Sequence, residues 1–158
     1  MGMYSQLKLS VNLKSDGNLV DILDFMMSIR EHKNPYVELT LQESIALNHP
    51  LFSTERWIWM LRGYSEYFSE WEEPSFTYEK TPGTDKKYIH FTCCFSIKNY
   101  TNEIQNFLDF LSSYVEDEEG SLVGTLWYEG YDNPVMIKVI NGAYTVTKDI
   151  ANYESEDI

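Results

Sequence analysis

The chain has 158 residues, 43% of them hydrophobic, with 8 Phe, 12 Tyr and 4 Trp. This length fits one domain, and this composition excludes a globally disordered chain. The net charge of −13 disfavours direct binding of a nucleic-acid backbone, because that requires a basic surface. The acidic excess is concentrated after residue 115, where 10 acidic side chains occur with 2 basic ones.

Two features indicate the compartment. Cys93 and Cys94 are adjacent, and neighbours on a strand point to opposite faces, so they are poorly placed to bridge each other; no second thiol pair exists for a metal site. The N-terminal "MGMYSQLKLS" has no basic region followed by an apolar run, and no stretch of 18 consecutive apolar residues occurs. We therefore expect a reduced, cytoplasmic protein that binds no metal or cofactor and does not associate with membranes.

The first elements are a strand and a helix. In "LKLSVNLK" (7–14) apolar and polar residues alternate, as in a half-buried strand. In "NLVDILDFMMSIRE" (18–31) apolar residues recur at helical spacing, and Asp16 or Asn18 can cap the start. The stripe predicted to be buried comprises Leu19, Ile22, Leu23, Met26 and Ile29.

The middle of the chain is less regular. "YVELTLQ" (36–42) resembles a strand. In "NHPLFSTERWIWMLRGYSEYF" (48–68), Trp57, Trp59 and Leu61 would suit a strand, but we favour a helix because apolar residues recur at roughly helical spacing, at Trp57, Met60, Leu61, Tyr64 and Phe68. "SFTYEK" (75–80) and "KKYIHFTCCFSI" (86–97) are joined by "TPGTD" (81–85). This pattern predicts a β-hairpin.

A second strand-helix unit follows at 91–115. Phe91, Cys93, Phe95 and Ile97 share one strand face, and "KNYTNEIQNFLDFLSSYV" (98–115) predicts an amphipathic helix. Two further strands follow, separated by a turn at 132–134, and a turn at Asn141-Gly142 leads to a short last strand. The two units match at an offset of about 84 residues.

These elements predict an α+β fold: a pseudo-repeat of two β-α-β-β-like (ferredoxin-like) halves, with an antiparallel sheet and two to three helices. We expect one domain at 1–148, with halves at approximately 1–73 and 74–148. An acidic C-terminal tail follows at 149–158.

Enzymatic chemistry is not indicated by any local motif. The three histidines, His32, His49 and His90, are far apart, and neither a glycine-rich phosphate loop nor a nucleophile elbow is present. The run Glu116–Glu119 lacks the ligand spacing of a calcium loop. We therefore predict a protein without enzymatic activity.

Acidic residues interleaved with aromatic residues favour a binding protein. Carboxylates two residues apart on a strand lie about 6 to 7 Å apart, close to the spacing of successive phosphates, so an acidic row can occupy a nucleic-acid channel. Neighbouring aromatic residues such as Trp127, Tyr128 and Tyr131 would anchor the interface. The residues predicted to bind the partner are Glu66, Glu70, Trp71, Glu72, Glu73, Glu116, Asp117, Glu118, Glu119, Glu129 and Asp132.

Three segments carry a family resemblance: "HPLFSTERWIWMLRG", "IKNYTNEIQNFLDFL" and "LVGTLWYEG". Together they resemble blocks of small acidic proteins encoded by phages and integrative elements of Gram-positive bacteria, over most of residues 47 to 140. The resemblance implies a setting rather than functional residues. Mobile elements often carry acidic inhibitors of host defence, including anti-CRISPR proteins.

The leading hypothesis is an inhibitor that engages the basic surface of a host nuclease, or of another nucleic-acid-binding protein, through nucleic-acid mimicry. One alternative is an immunity or antitoxin-like protein with a dedicated toxin. Another is a small-ligand domain with a pocket lined by Trp57, Trp59, Tyr64 and His49. A third is an accessory protein that forms a homodimer through a sheet edge.

Overall fold

A computed structural model describes residues 4–31, 49–53, 56–63, 74–80, 88–99 and 102–151. In these ranges the chain forms six strands, three α-helices and a 3₁₀ turn at Pro50–Ser53. The strands are β1 (Ser5–Lys14), β2 (Ser75–Lys80), β3 (Tyr88–Ile97), β4 (Leu122–Tyr128), β5 (Val135–Ile140) and β6 (Ala143–Ile150). The helices are α1 (Gly17–Glu31), α2 (Arg56–Arg62) and α3 (Glu103–Ser112).

The strands form one sheet in the order β2-β3-β1-β4-β5-β6, and every neighbouring pair is antiparallel. The predicted α+β class and antiparallel sheet are therefore confirmed. The hairpin of β2 and β3 and the hairpin of β5 and β6 also lie where the sequence predicts them. The order β2-β3-β1-β4 is compatible with ferredoxin-like halves, and the sequence repeat itself stays a prediction.

The two faces of the sheet differ in chemistry. On β1, Leu7, Leu9, Val11 and Leu13 are at most 4% exposed and lie on the face covered by the helices. The pairing of β1 with β3 places Phe91 and Phe95 on this covered face, where both contact Phe107 of α3. The opposite face carries polar side chains, and we call Ser10, Asn12, Thr77, His90 and Thr92 the polar face.

Local hydrogen bonds explain where the helices begin. Asp16 Oδ1 accepts the backbone N–H groups of Asn18 and Leu19, so it satisfies donors that the first turn of α1 leaves unpaired. Asn99 Oδ1 accepts the N–H of Ile104 in α3. Asp16 is one of the two predicted caps, and the whole predicted apolar stripe of α1 is buried.

Residues 56–62 form a helix, as favoured from the sequence. Trp57, Ile58, Met60 and Leu61 are buried, because α2 packs on β3 and against the helices α1 and α3. The Trp57 ring contacts Phe25 and Phe52 at centroid distances of 6.0 and 5.3 Å. The strand predicted at 36–42 lies outside the described residues.

Among the described residues, no helix has the length and apolar character needed to cross a membrane.

Candidate functional site

The acidic loop, residues 116–119, joins α3 to β4 beside the end of β1. Val115 forms a β-bridge with Leu13, and the N–H of Glu116 donates to the carbonyl of Asn12 at 2.9 Å. The loop is therefore attached to the central strand of the sheet at its first residues.

Asp117 is held by two donors from different strands. Its Oδ2 accepts the backbone N–H of Asn12 at 3.0 Å and the hydroxyl of Tyr144 at 2.9 Å. Burial of Tyr144 and the neighbouring carboxylate raise the pKa of this tyrosine above its usual range. Tyr144 thus stays protonated at neutral pH and donates to Asp117.

Glu119 caps the turn of the β5-β6 hairpin. Its two carboxylate oxygens accept the N–H groups of Asn141 and Gly142, at 2.8 and 3.0 Å. Both turn residues have positive φ, which suits Asn and Gly. The carboxylate therefore ties the acidic loop to the far strands of the sheet.

The acidic loop is an ordered structure whose carboxylates divide into two roles. The carboxylates of Asp117 and Glu119 accept hydrogen bonds from backbone and hydroxyl donors. Glu116 and Glu118 are exposed, and so is Glu119, although it also caps the turn. The loop has no strand conformation, so the spacing expected for an acidic row along a strand does not apply to it.

The other predicted acids lie elsewhere. Glu129 and Asp132 follow the opposite end of β4, about 20 Å away along a seven-residue strand. Glu129 Oε2 accepts the N–H of Tyr4 at 2.8 Å, and Asp132 is exposed. The structure therefore does not bring these two residues together with the acidic loop. Glu66, Glu70, Trp71, Glu72 and Glu73 lie outside the described residues.

A cleft of about 1050 Å³ lies at this second end, between the start of α3 and strands β4 to β6. Leu126, Val135 and Val146 contribute apolar surface, and Tyr128 and Tyr131 form an edge-on pair at 5.3 Å. Both tyrosines are exposed, at 37% and 53%. The Trp127 indole donates to the carbonyl of Tyr131 and so fixes the turn that carries this pair.

The pocket suggested by the sequence is not formed as expected. Trp57 is 1% exposed and belongs to the core, whereas Trp59 is 48% exposed. His49 Nε2 lies 2.8 Å from Asp109 Oδ2 and its ring packs on Phe110. Because Trp57 is packed among aromatic rings, it cannot line a binding pocket; Tyr64 lies outside the described residues.

A hydrogen-bonded group on the polar face is absent from the sequence predictions. His90 Nδ1 lies 2.9 Å from Asn12 Oδ1, and His90 Nε2 lies 3.3 Å from Ser10 Oγ. The group depends on the pairing of β1 with β3, some 80 residues apart. The sequence signal for this group is the alternation of apolar and polar residues in both strands. It places all three residues at polar positions, but it does not fix the register between the two strands.

Within the described ranges, no group of three or more His, Cys, Asp or Glu residues is arranged to hold a metal ion. Comparison of the chain with protein families, curated proteins and solved structures found no match.

Proposed function

We propose that the protein acts by binding another macromolecule through the acidic loop, and that the partner presents a basic, nucleic-acid-binding surface. The observation that carries this proposal is the attachment of the loop to β1, β6 and the β5-β6 turn through Glu116, Asp117 and Glu119. An acidic segment needed only for solubility requires no such fixation.

Fixation matters because ordering a flexible loop opposes association. A loop that is already ordered loses less conformational entropy when a partner binds, so more of the interaction free energy appears as affinity. The exposed carboxylates of Glu116 and Glu118 supply the charge that attracts a basic surface. Asp117 and Glu119 add negative charge while they hold the loop in place.

The class of partner follows from charge complementarity. A basic groove that binds nucleic acid is the common protein surface with the opposite charge. In the setting implied by the resemblance to proteins of phages and integrative elements, this partner is a nuclease of host defence, and the protein is its inhibitor. In the alternative, the partner is a dedicated toxin and the protein is the immunity protein that neutralises it.

The test is affinity purification of the full chain from host lysate at about 0.05 M salt, followed by washing at about 0.5 M. The captured protein should dissociate in the salt wash, because screening weakens contacts between exposed charges. It should also be displaced by duplex DNA if its nucleic-acid-binding surface is engaged.

The matched variants are Glu116→Gln/Glu118→Gln in the acidic loop and Asp21→Asn/Glu31→Gln on α1. Each pair removes two exposed charges. The substitutions in the acidic loop should weaken binding by about 10-fold and reduce its salt dependence. The substitutions on α1 should have little effect on either the affinity or its salt dependence. Equal effects of the two pairs would contradict a site at the acidic loop, and binding unaffected by salt or DNA would contradict the charge-based mechanism.

The cleft supports a second candidate function, the binding of a small ligand. Its volume is close to that of known ligand sites, and the exposed Tyr128-Tyr131 pair offers aromatic surface beside polar groups of Gln105 and Asn133. A screen of small aromatic compounds by NMR should shift resonances around this cleft, and Tyr131→Ala should abolish the shifts. A screen without shifts at these residues would remove this candidate.

A further inference from the structure

The polar face brings together three side chains from two strands. Asn12 lies opposite His90 in the β1-β3 register, and Ser10 lies opposite Thr92 on the same face. Ser10 is exposed, and His90 and Asn12 are partly exposed, so a molecule in solution can reach the serine hydroxyl.

The hydrogen bonds define the state of the His90 ring. Asn12 Oδ1 is an acceptor, so the ring nitrogen 2.9 Å from it, Nδ1, carries a proton when the imidazole is neutral. Nε2 then has a free lone pair, and it faces Ser10 Oγ at 3.3 Å. The hydroxyl of Ser10 therefore donates to a nitrogen that can accept its proton.

We propose that Ser10 is an activated nucleophile that accepts acyl groups from small, reactive carboxylic esters, with His90 as general base and Asn12 as a positioning residue. The order of nucleophile, base and orienting acceptor is the one by which serine hydroxyls are activated in unrelated folds. This activity is separate from the binding proposed for the acidic loop, and it requires no partner.

The reaction balances without a co-reactant. Ser10 Oγ forms a bond to the ester carbonyl carbon while His90 Nε2 takes the hydroxyl proton. The bond from carbon to the leaving oxygen then breaks, and His90 returns the proton to that oxygen, releasing an alcohol. Water attacks the acyl-serine by the same route, His90 again taking a proton and returning it to Ser10.

A hydroxyl beside Ser10 can stabilise the negative charge that develops on the carbonyl oxygen. Thr92 is the cross-strand neighbour of Ser10, at a side-chain separation of about 5 Å. Its Oγ1 is within hydrogen-bond distance of Thr77 Oγ1. When Thr77 donates in this pair, the hydroxyl proton of Thr92 is available to the substrate.

The exposure of Ser10 determines the substrate class. Because Ser10 is exposed on the polar face, the described residues around it bury little of a substrate and cannot select a long side chain. Small acyl groups with good leaving groups are therefore the substrates that suit it. General-base assistance of this kind contributes about 10²- to 10⁴-fold.

The test uses p-nitrophenyl acetate with the full chain, and mass spectrometry of peptides to locate and time the acetylation. Ser10 should be acetylated at least about 10²-fold faster than Ser15, which is also exposed but makes no hydrogen bond to a histidine among the described residues. Ser10→Ala should abolish the fast release of p-nitrophenol, and Ser15→Ala should not change it.

Three further variants separate the roles. His90→Gln should slow acetylation of Ser10 to the rate of Ser15. Asn12→Leu should slow it about 10-fold or more, and Asn12→Asp should restore it, because a carboxylate also accepts the Nδ1 proton. Circular dichroism and thermal unfolding verify that each variant is folded.

The proposal is overturned if Ser10 and Ser15 react at equal rates, if His90→Gln reacts like the wild type, or if the acetyl group is found on His90 and not on Ser10. It is also overturned if Asn12→Leu and Asn12→Asp behave alike. Since the measurement involves no macromolecular partner, a negative result leaves the binding proposed for the acidic loop unaffected.

Discussion

The two faces of β1 differ although their residues alternate along the same ten-residue strand. On the covered face, Leu9 and Val11 are buried beneath the helices, whereas Ser10 and Asn12 on the polar face contact His90. One strand therefore supplies both the centre of the core and the proposed reactive group. Substitutions on the covered face should change stability, and substitutions on the polar face should change reactivity.

The largest expected effect is a cavity beneath the helices. Phe91→Ala removes a fully buried ring that contacts Phe76 and Phe107, and we expect it to lower the free energy of unfolding by about 3 to 5 kcal/mol. Its neighbour Thr92, on the polar face, is the matched control, and Thr92→Ala should cost about 1 kcal/mol or less. Urea denaturation measures the free energy of unfolding of both variants. Similar losses of stability in the two would contradict the difference between the faces.

The next prediction concerns a buried charge, the carboxylate of Glu103, in the layer of helices that covers the sheet. The Glu103 side chain is 4% exposed, and its carboxylate accepts from Arg56 Nε, while another Arg56 nitrogen donates to the carbonyl of Lys98. Arg56→Ala leaves a buried carboxylate without this cation, so we expect a loss of about 2 to 4 kcal/mol. Glu103→Gln leaves an amide oxygen that still accepts a hydrogen bond and an arginine that water can reach. We therefore expect it to lower the free energy of unfolding by only about 1 kcal/mol.

Chemical denaturation of the two single variants and of the double variant measures the coupling between Arg56 and Glu103. Equal losses in the single variants would contradict the expected asymmetry.

Tyr144 connects the covered face to the acidic loop and predicts a dependence on pH. Burial and Asp117 raise the pKa of Tyr144 in the folded state above its ordinary value of 10.0. The stabilisation associated with this shift is therefore complete below pH 10 and is lost as pH rises above 10 toward the folded-state value. At pH 7, Tyr144→Phe should cost about 1 to 2 kcal/mol, because the hydrogen bond to a carboxylate is lost.

Denaturation between about pH 9 and pH 12 provides the measurement. The stability difference between the wild type and Tyr144→Phe should shrink above pH 10, by at most about 1.4 kcal/mol per pH unit. The other tyrosines are common to both proteins and cancel in this difference. A constant difference over this range would show that Asp117 and burial do not shift the Tyr144 pKa as described.

Periodicity predicted the covered face well, but it carries no information on the hydrogen bonds of the acidic loop. The alternation in β1 and β3 and the apolar stripe of α1 identified core residues such as Leu9, Phe91 and Ile22, since burial leaves a periodic trace in the sequence. The internal hydrogen bonds of Asp117 and Glu119 leave no such trace. These residues look like a solvated acidic run until the β5-β6 turn is placed beside them.

The Ser10-His90-Asn12 group shows the same limit. Each residue occupies an ordinary polar position of a strand, and only the register, Asn12 opposite His90, makes them neighbours. A shift by one residue would move one strand's side chains to the other face. The covered face fixes the register through apolar packing, so the position of the proposed reactive group is determined by residues that take no part in its chemistry.

The smallest expected effect concerns the indole of Trp57. Its Nε1 is buried and has no hydrogen-bond acceptor among the described residues, although the ring packs against Phe25 and Phe52. An unsatisfied buried donor costs about 1 to 3 kcal/mol, whereas replacing indole by phenyl loses apolar contact of similar worth. Trp57→Phe should therefore change the free energy of unfolding by less than about 1 kcal/mol, in contrast to the loss expected for Phe91→Ala. A loss above about 2 kcal/mol in thermal or urea unfolding would show that the indole N–H contributes a hydrogen bond to the folded state.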